Sequence, residues 1–334
     1  MHYAMDERIK KQLPLVCIVG PTASGKSSLG IHLAKVFSGE IISADSRQIY
    51  RGMDIGTDKA LPDVNQDAVP QAIGRLIPSR SGEVVHWLLD IADPEELYTL
   101  AQYQRDALHI IPGIIKRGRV PFLVGGTGLY VAAVVDNFVI PKGNDADQYK
   151  IRAELDVRLH TEGLQELYRD LCKRDTDAAW QVDGKNPRRV IRALEVCILT
   201  GKPFTQQKKQ KKSRYDVLQL GIITSTEERE KKIRKRVQEM IAQGFAGEVQ
   251  KLITKDYDRD LPSMTGIGYK EIGSWLSNGG SVVLPLPEEV IEGIVVATLQ
   301  YAKRQMTWFK RDKRIHWVTD AQEAEKITRK FLQM

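Results

Sequence analysis

The sequence predicts an α/β fold in which a parallel-sheet core carries a mostly helical inserted domain. Three observations lead there. Short apolar runs, LPLVCIVG (13–20), EIISAD (40–45), VVHWLLDI (84–91) and VPFLVGG (120–126), alternate with longer amphipathic stretches, the pattern of parallel strands joined by helical crossovers. The first run passes directly into Gly20-Pro-Thr-Ala-Ser-Gly-Lys26-Ser27 and then LGIHLAKVF, giving strand, glycine-rich loop and helix. The alternation stops after Pro141, and 144–205 is mostly helical in pattern.

Element by element, 13–20 is a short buried strand and 40–45 a second one, ending at Asp45. The stretch SRQIYRGMDIGTDKA is polar and glycine-punctuated and predicts a loop. A third strand follows at 84–91, then a helix over 99–118 that Pro112 is placed to kink. VPFLVGG is the fourth strand and TGLYVAAVV a helix. Inside the insertion, Asn186 is suited to cap a helix and Pro187 to occupy its first position. VLQLGII (217–223) returns to strand, and a long helix spans about 226–243. The expected organisation is 12–143 for the first part of the core, 144–205 for the helical insertion, and 206–334 for the second part with carboxyl-terminal helices. In open α/β sheets ligands bind beyond the carboxyl ends of the strands, and three of these strands end in polar or glycine-rich loops.

Of 334 residues, 42% are hydrophobic and 28% charged, an ordinary soluble composition. The net charge is +7, and its distribution is uneven. From Lys185 to Arg236 there are sixteen Lys and Arg against five Asp and Glu. That local excess is larger than the whole chain's, and it points to a polyanionic partner. Cys17, Cys172 and Cys197 have no zinc-type spacing and are expected to be reduced thiols. The amino-terminal MHYAMDERIKKQ lacks the apolar centre of a signal peptide, and no apolar run has the length of a membrane span. A cytoplasmic setting is expected.

Gly20–Ser27 satisfies G-x-x-x-x-G-K-[ST]. Consecutive backbone N–H groups in such a loop cup phosphate oxygens, and the helix N-terminus adds partial positive charge. Gly20, Pro21, Thr22, Ala23, Ser24 and Gly25 form the cradle, Lys26 neutralises phosphate, and the Ser27 hydroxyl is a candidate Mg²⁺ ligand. The core is therefore P-loop NTPase-like. The motif specifies phosphate, not ATP. Asp45 ends a strand on the same sheet edge, as a general base, a metal partner or simply a turn aspartate. Thr127, in the glycine-rich GGTG, is either a helix cap or a hydrogen-bonding group at the sheet mouth. The aromatics of AKRQMTWFKR, with Trp87, Trp180, Trp275 and Trp317, are assigned to packing.

GPTASGKS, ISADSRQIYRGMDIGT, HWLLDI, LVGGTGLY, NPRRVIRALEV, GYKEI and AKRQMTWFKRD occur in this order. Together they closely resemble the bacterial and organellar tRNA dimethylallyltransferases, from about Leu13 to about Val318. The resemblance implies that the P-loop holds the pyrophosphate of dimethylallyl diphosphate. It implies transfer of the five-carbon group to N6 of adenine 37 of tRNA, next to the anticodon. A monomer is expected, with the anticodon stem-loop as its partner and Mg²⁺, from the Ser27 motif, as its cofactor. By the same resemblance Asp45 is the general base and Arg236 holds the pyrophosphate. The chemistry of a departing diphosphate adds Lys26 beside Arg236, and the place of Thr127 at the sheet mouth adds it, so Asp45, Thr127, Lys26 and Arg236 are the expected catalytic residues. Asp45, Ser46, Arg47 and Gln48, with Thr127 and Arg152, align with tRNA-contacting positions. So do Arg188, Arg189, Val190, Ile191 and Arg192. Where many members carry arginine on the helix leading to Arg236, this chain has Thr226 and Lys232. A P-loop small-molecule kinase, an adenylate prenyltransferase and an RNA-binding protein without chemistry remain the alternatives at this point.

Overall fold

The computed structural model describes residues 12–64, 66, 69–140, 145–206, 211–282 and 285–334. The amino-terminal segment through 11, the expected boundary at 143–144 and part of the basic run 208–214 lie outside the described residues. The chain forms two compact units, one of 136–212 and one of the remainder.

The α/β unit is built on a seven-stranded sheet. In chain order the strands are β1 (Leu13–Val19), β2 (Gly39–Ser43), β3 (Ser79–Ser81), β4 (Val84–Trp87), β5 (Val120–Gly125), β6 (Tyr215–Ile222) and β7 (Ile315–Val318). Their order across the sheet is β3-β4-β2-β5-β1-β6-β7, and every pairing is parallel except β3 with β4. β1 shows why it is central. Leu15, Cys17 and Val19 point into one core cluster and Val16 and Ile18 into the other, all at 0% exposure. Side chains alternate across a strand, so a run apolar at every position is buried on both faces.

Helix α1 (Lys26–Val36) packs on the Val16/Ile18 face, with Leu29, Leu33 and Ala34. Helix α2 (Leu100–Lys116) covers the opposite face through Tyr103, Ala107, Ile110, Ile111 and Ile114. It starts at a capping box of Thr99 and Gln102 and continues past Pro112. Helix α3 (Gly128–Val135) follows β5.

The expected strand 84–91 is shorter than its apolar pattern. β4 stops at Trp87, because Leu88 (φ 63°) and Asp90 (φ 52°) take left-handed backbone and turn the chain. β3 and β7 carried no strand signal. The 46–60 stretch is a loop, as its glycines indicate, but a pinned one with Ile49, Tyr50 and Met53 buried.

The helical unit contains α4 (Asp145–Thr161), α5 (Leu164–Arg174), α6 (Ala178–Gln181) and α7 (Pro187–Thr200) around its own core of Leu155, Leu167, Leu171, Val190 and Leu194. Asn186 caps α7 by accepting from the Arg189 N–H, with Pro187 at the first position. The α/β unit continues with α8 (Thr226–Ala242), α9 (Phe245–Thr254), α10 (Tyr269–Ser277), α11 (Glu288–Phe309) and α12 (Ala321–Leu332). Two tryptophans assigned to packing are instead exposed, Trp180 at 91% and Trp308 at 43%. Trp180 sits on a helix of four residues whose buried member is Ala178, and Trp308 lays its indole against Gly128, where a Cβ would meet the ring at 2.2 Å. Among the described residues no helix is long and apolar enough to cross a membrane.

Candidate active site

Register aligns the strand ends. Val19 of β1 pairs with Gly125 of β5 and Gly221 of β6, and Ser43 of β2 pairs with Val124 of β5. The loops that follow β1, β2 and β5 therefore leave the sheet on one edge, at the crevice where such sheets take ligands.

The loop after β1 curls over the start of α1. Gly25, at φ 92°, is the N-cap of α1, a conformation that costs glycine little. Leu29 N–H makes the first helical bond to Gly25 O (3.0 Å), so the amides of the first turn face the loop as an anion cradle. Ser24 Oγ is buried with no hydrogen-bond partner among the described residues, a donor that a phosphate oxygen would satisfy. Lys26 is buried, with Nζ 3.4 Å from Pro21 O. Burial pushes its ammonium below the ordinary lysine range; Asp45 opposes this, Arg236 adds to it and Asp58 opposes it. Those three groups therefore share the electrostatic neighbourhood of Lys26. Arg236, on α8, makes an ion pair with Asp58 at 3.2 Å.

The loops after β2 and β5 are tied together. Thr127 N–H donates to Ala44 O (3.0 Å), Ser46 N–H donates to Thr127 Oγ1 (3.0 Å), and the Thr127 hydroxyl reaches Ser46 Oγ (3.3 Å). Asp45 Oδ1 accepts the Arg47 N–H (2.9 Å), a turn that leaves its carboxylate half-exposed at the crevice. The Thr127 side chain thus bonds across to Ser46 and orders the Asp45 turn, while α3 takes only its backbone carbonyl. Tyr301 of α11 lies in hydrogen-bond reach of Thr127 and within the fields of Asp45 and Arg47, and burial raises its phenol's pKa.

Gly20–Ser27, Asp45, Ser46, Thr127 and Arg236 thus gather at one edge of the α/β unit. Arg47 and Gln48 are close by but engaged within the unit. The Arg47 guanidinium donates to Pro262 O and Ser263 O. The Gln48 amide accepts from Ser43 Oγ and donates to Thr57 O and Asp58 O. In the helical unit, Arg152 and Arg192 share one buried carboxylate, Glu195, which Arg152 reaches at 3.2 Å. Arg188 and Arg189 are exposed. Val190 and Ile191, grouped with them by sequence, differ: at 0% and 2% exposure their side chains belong to the core of the unit and offer no surface to RNA. Asp58 and Glu195 escaped sequence reasoning, although each lies in or beside a quoted motif, DIGT and RALEV.

A family profile described as IPP transferase matches residues 48–312. A tRNA dimethylallyltransferase of Thermomicrobium roseum is 39% identical over 92% of this chain and 87% of its own length. One from Roseiflexus sp. is 42% identical over 90% of each. Among solved structures, a tRNA isopentenylpyrophosphate transferase from Bacillus halodurans superposes with a TM-score of 0.65 at 36% identity, covering 96% of this chain and 97% of that one. A eukaryotic dimethylallyltransferase captured acting on tRNA gives a TM-score of 0.73 at 26% identity, covering 96% and 80%. With a family profile matching most of its length and relatives near 40% identity across nine-tenths of it, the chain belongs to the IPP transferase family.

Proposed function

We propose that this chain transfers the dimethylallyl group of dimethylallyl diphosphate to N6 of adenine 37 in the anticodon stem-loop of tRNA, as a cytoplasmic monomer. The observation that carries the reading is the placement of Lys26, Asp45 and Arg236 in one electrostatic neighbourhood at the carboxyl edge of the sheet. A phosphate cradle faces a carboxylate there. That arrangement suits a nucleophile that must lose a proton beside a leaving group that gains charge.

The exocyclic adenine amine attacks C1 of the dimethylallyl group. The C1–O bond breaks and its electron pair stays on the departing diphosphate. The N6 proton passes to the Asp45 carboxylate. Thr127 holds the turn that carries Asp45. Lys26, Arg236 and the open amides at the start of α1 meet the charge that grows on the leaving group, the largest electrostatic demand of the step. To reach Asp45 the adenine must leave its stack in the RNA loop.

Ser27, exposed in the first turn of α1, is the residue to hold Mg²⁺. Among the described residues no cluster of three acidic, histidine or cysteine side chains competes for a metal. A single hydroxyl fits an ion that keeps most of its waters and takes its other oxygens from a substrate phosphate. Bound there, Mg²⁺ would neutralise diphosphate charge.

The test incubates the purified protein with Mg²⁺, dimethylallyl diphosphate and unmodified tRNA, followed by nucleoside mass spectrometry of the digested RNA. N6-prenyladenosine at position 37 is expected, falling roughly 100-fold or more in Asp45→Ala, the scale of a lost general base. Prenylation of free AMP, or phosphate transfer from ATP, would replace this reading with an adenylate prenyltransferase or a kinase.

A further inference from the structure

Gln305 is a buried amide at 6% exposure on α11, far in sequence from the loops it joins. Its Oε1 accepts the Thr22 N–H at 2.8 Å and its Nε2 donates to Gly126 O at 2.9 Å. An N–H can only donate and a carbonyl can only accept, so the two partners fix which end of the amide faces which loop. The fit is close. A Cβ on Gly126 would lie 2.3 Å from Gln305 Nε2 and 3.4 Å from Gly20 O, so only glycine admits the amide between the loops.

The bond to Thr22 has a consequence on the other side of the same peptide. The Pro21–Thr22 peptide is planar, so fixing its N–H fixes its carbonyl. Pro21 O receives the Ser24 N–H (3.3 Å) and the Lys26 ammonium (3.4 Å). With the N–H held by Gln305, the carbonyl stays turned toward Lys26, and the Thr22 N–H is withdrawn from the donors that the cradle offers to an anion. At its other end Gln305 holds the carbonyl of the residue preceding Thr127, whose hydroxyl orders the Asp45 turn.

We infer that Gln305 is a positioning residue that locks the phosphate loop to the acceptor-side loop, setting Lys26 and the Asp45–Thr127 turn at a fixed spacing. It touches neither substrate; it acts through Thr22 and Gly126. The inference rests on the prenyl-transfer reading for its effect on turnover, and on geometry alone for its effect on the phosphate loop.

The test uses the full chain carrying Gln305→Met, close in length and without polar groups. Loss of both bonds leaves a buried donor and acceptor unpaired. The expected result is an affinity for inorganic pyrophosphate with Mg²⁺ lowered about tenfold by calorimetry, because the Pro21 carbonyl and Lys26 are no longer held in place. A kcat for tRNA prenylation lowered about tenfold, with KM for tRNA unchanged, is expected beside it. A residue that only filled space would lower the melting temperature without this split. Folded Gln305→Met with wild-type pyrophosphate affinity or wild-type kcat overturns the inference, as does a loss confined to KM for tRNA. Should Gln305→Met not fold, Gln305→Asn keeps both polar groups but is too short to span the loops, and its results are read the same way. The pyrophosphate arm needs no acceptor, so it reports on the brace even where prenylation of tRNA is absent.

Discussion

Lys26 carries a cost at rest. Burial holds its ammonium below the lysine range of 10.5, and the carboxylates of Asp45 and Asp58 offset only part of that against Arg236. Between its folded pKa and that of the unfolded chain, the unfolded state binds more protons, so stability rises with pH across that window. Below the folded pKa the full burial cost is present. Lys26→Met is therefore expected to melt above the wild type at pH 7 without ligand, a gap that closes as pH approaches 10.5. The same variant should lose the rise in melting temperature that pyrophosphate gives the wild type. A variant less stable at pH 7 would show that Lys26 is not strained in the empty site. The residues this prediction depends on differ in how legible they were. Gly20–Ser27 is a contiguous motif whose chemistry is local, and Asp45 and Thr127 each end an apolar run. Asp58 and Gln305 act through contacts 178 and 283 positions away, and no periodicity carries such information.

At the scale of elements, helices and central strands follow from hydrophobic period, and the edges of the sheet do not. β1 and β5 are apolar throughout because both of their faces are covered. β3 is Ser-Arg-Ser and exists only because β4 offers it a partner. β7 is four residues long and docks on β6. The loop from 53 to 59 reads as polar linker, yet Glu248 of α9 ties it down. Its carboxylate accepts the N–H groups of Asp54, Ile55 and Gly56 and the Tyr269 hydroxyl, and so steadies the turn that carries Asp58. β4 holds a second buried titratable group. His86 is 6% exposed, and burial lowers its pKa from 6.5 to about 4, with a bond to the Ser81 backbone and the charge of Asp63 opposing. The folded state keeps this imidazole neutral, so as pH falls through the window from 6.5 to about 4 the unfolded chain takes up the proton first and stability is lost. The whole window is worth about 3 kcal/mol. His86→Leu removes that term. Urea unfolding at pH 7 and pH 5 should show the wild type losing about 2 kcal/mol more than the variant over the interval. Equal losses would mean that His86 takes up its proton in the fold as readily as in the unfolded chain.

At the scale of the molecule, the chain divides its work between two units that each bury a core of their own. The phosphate cradle, Asp45, Thr127 and Arg236 belong to the α/β unit. The arginines of α4 and α7 belong to the helical one, where Glu195 spends part of the charge of Arg152 and Arg192 internally. Arg188 and Arg189 project from the first turn of α7 and are exposed, so their charge is open to an RNA backbone. Each phosphate neutralised releases counterions, which makes affinity fall with salt in proportion to the number of contacts. Arg188→Ala with Arg189→Ala is therefore expected to weaken tRNA binding and to reduce the slope of log affinity against log salt by roughly two contacts. Pyrophosphate binding should stay at the wild-type value, because each cradle residue described above belongs to the α/β unit. Arg192→Ala should change the slope less, since Glu195 already compensates that cation. An unchanged slope in the double variant would remove α7 from the RNA-binding surface. A parallel loss of pyrophosphate affinity would show instead that the two units do not fold and bind independently.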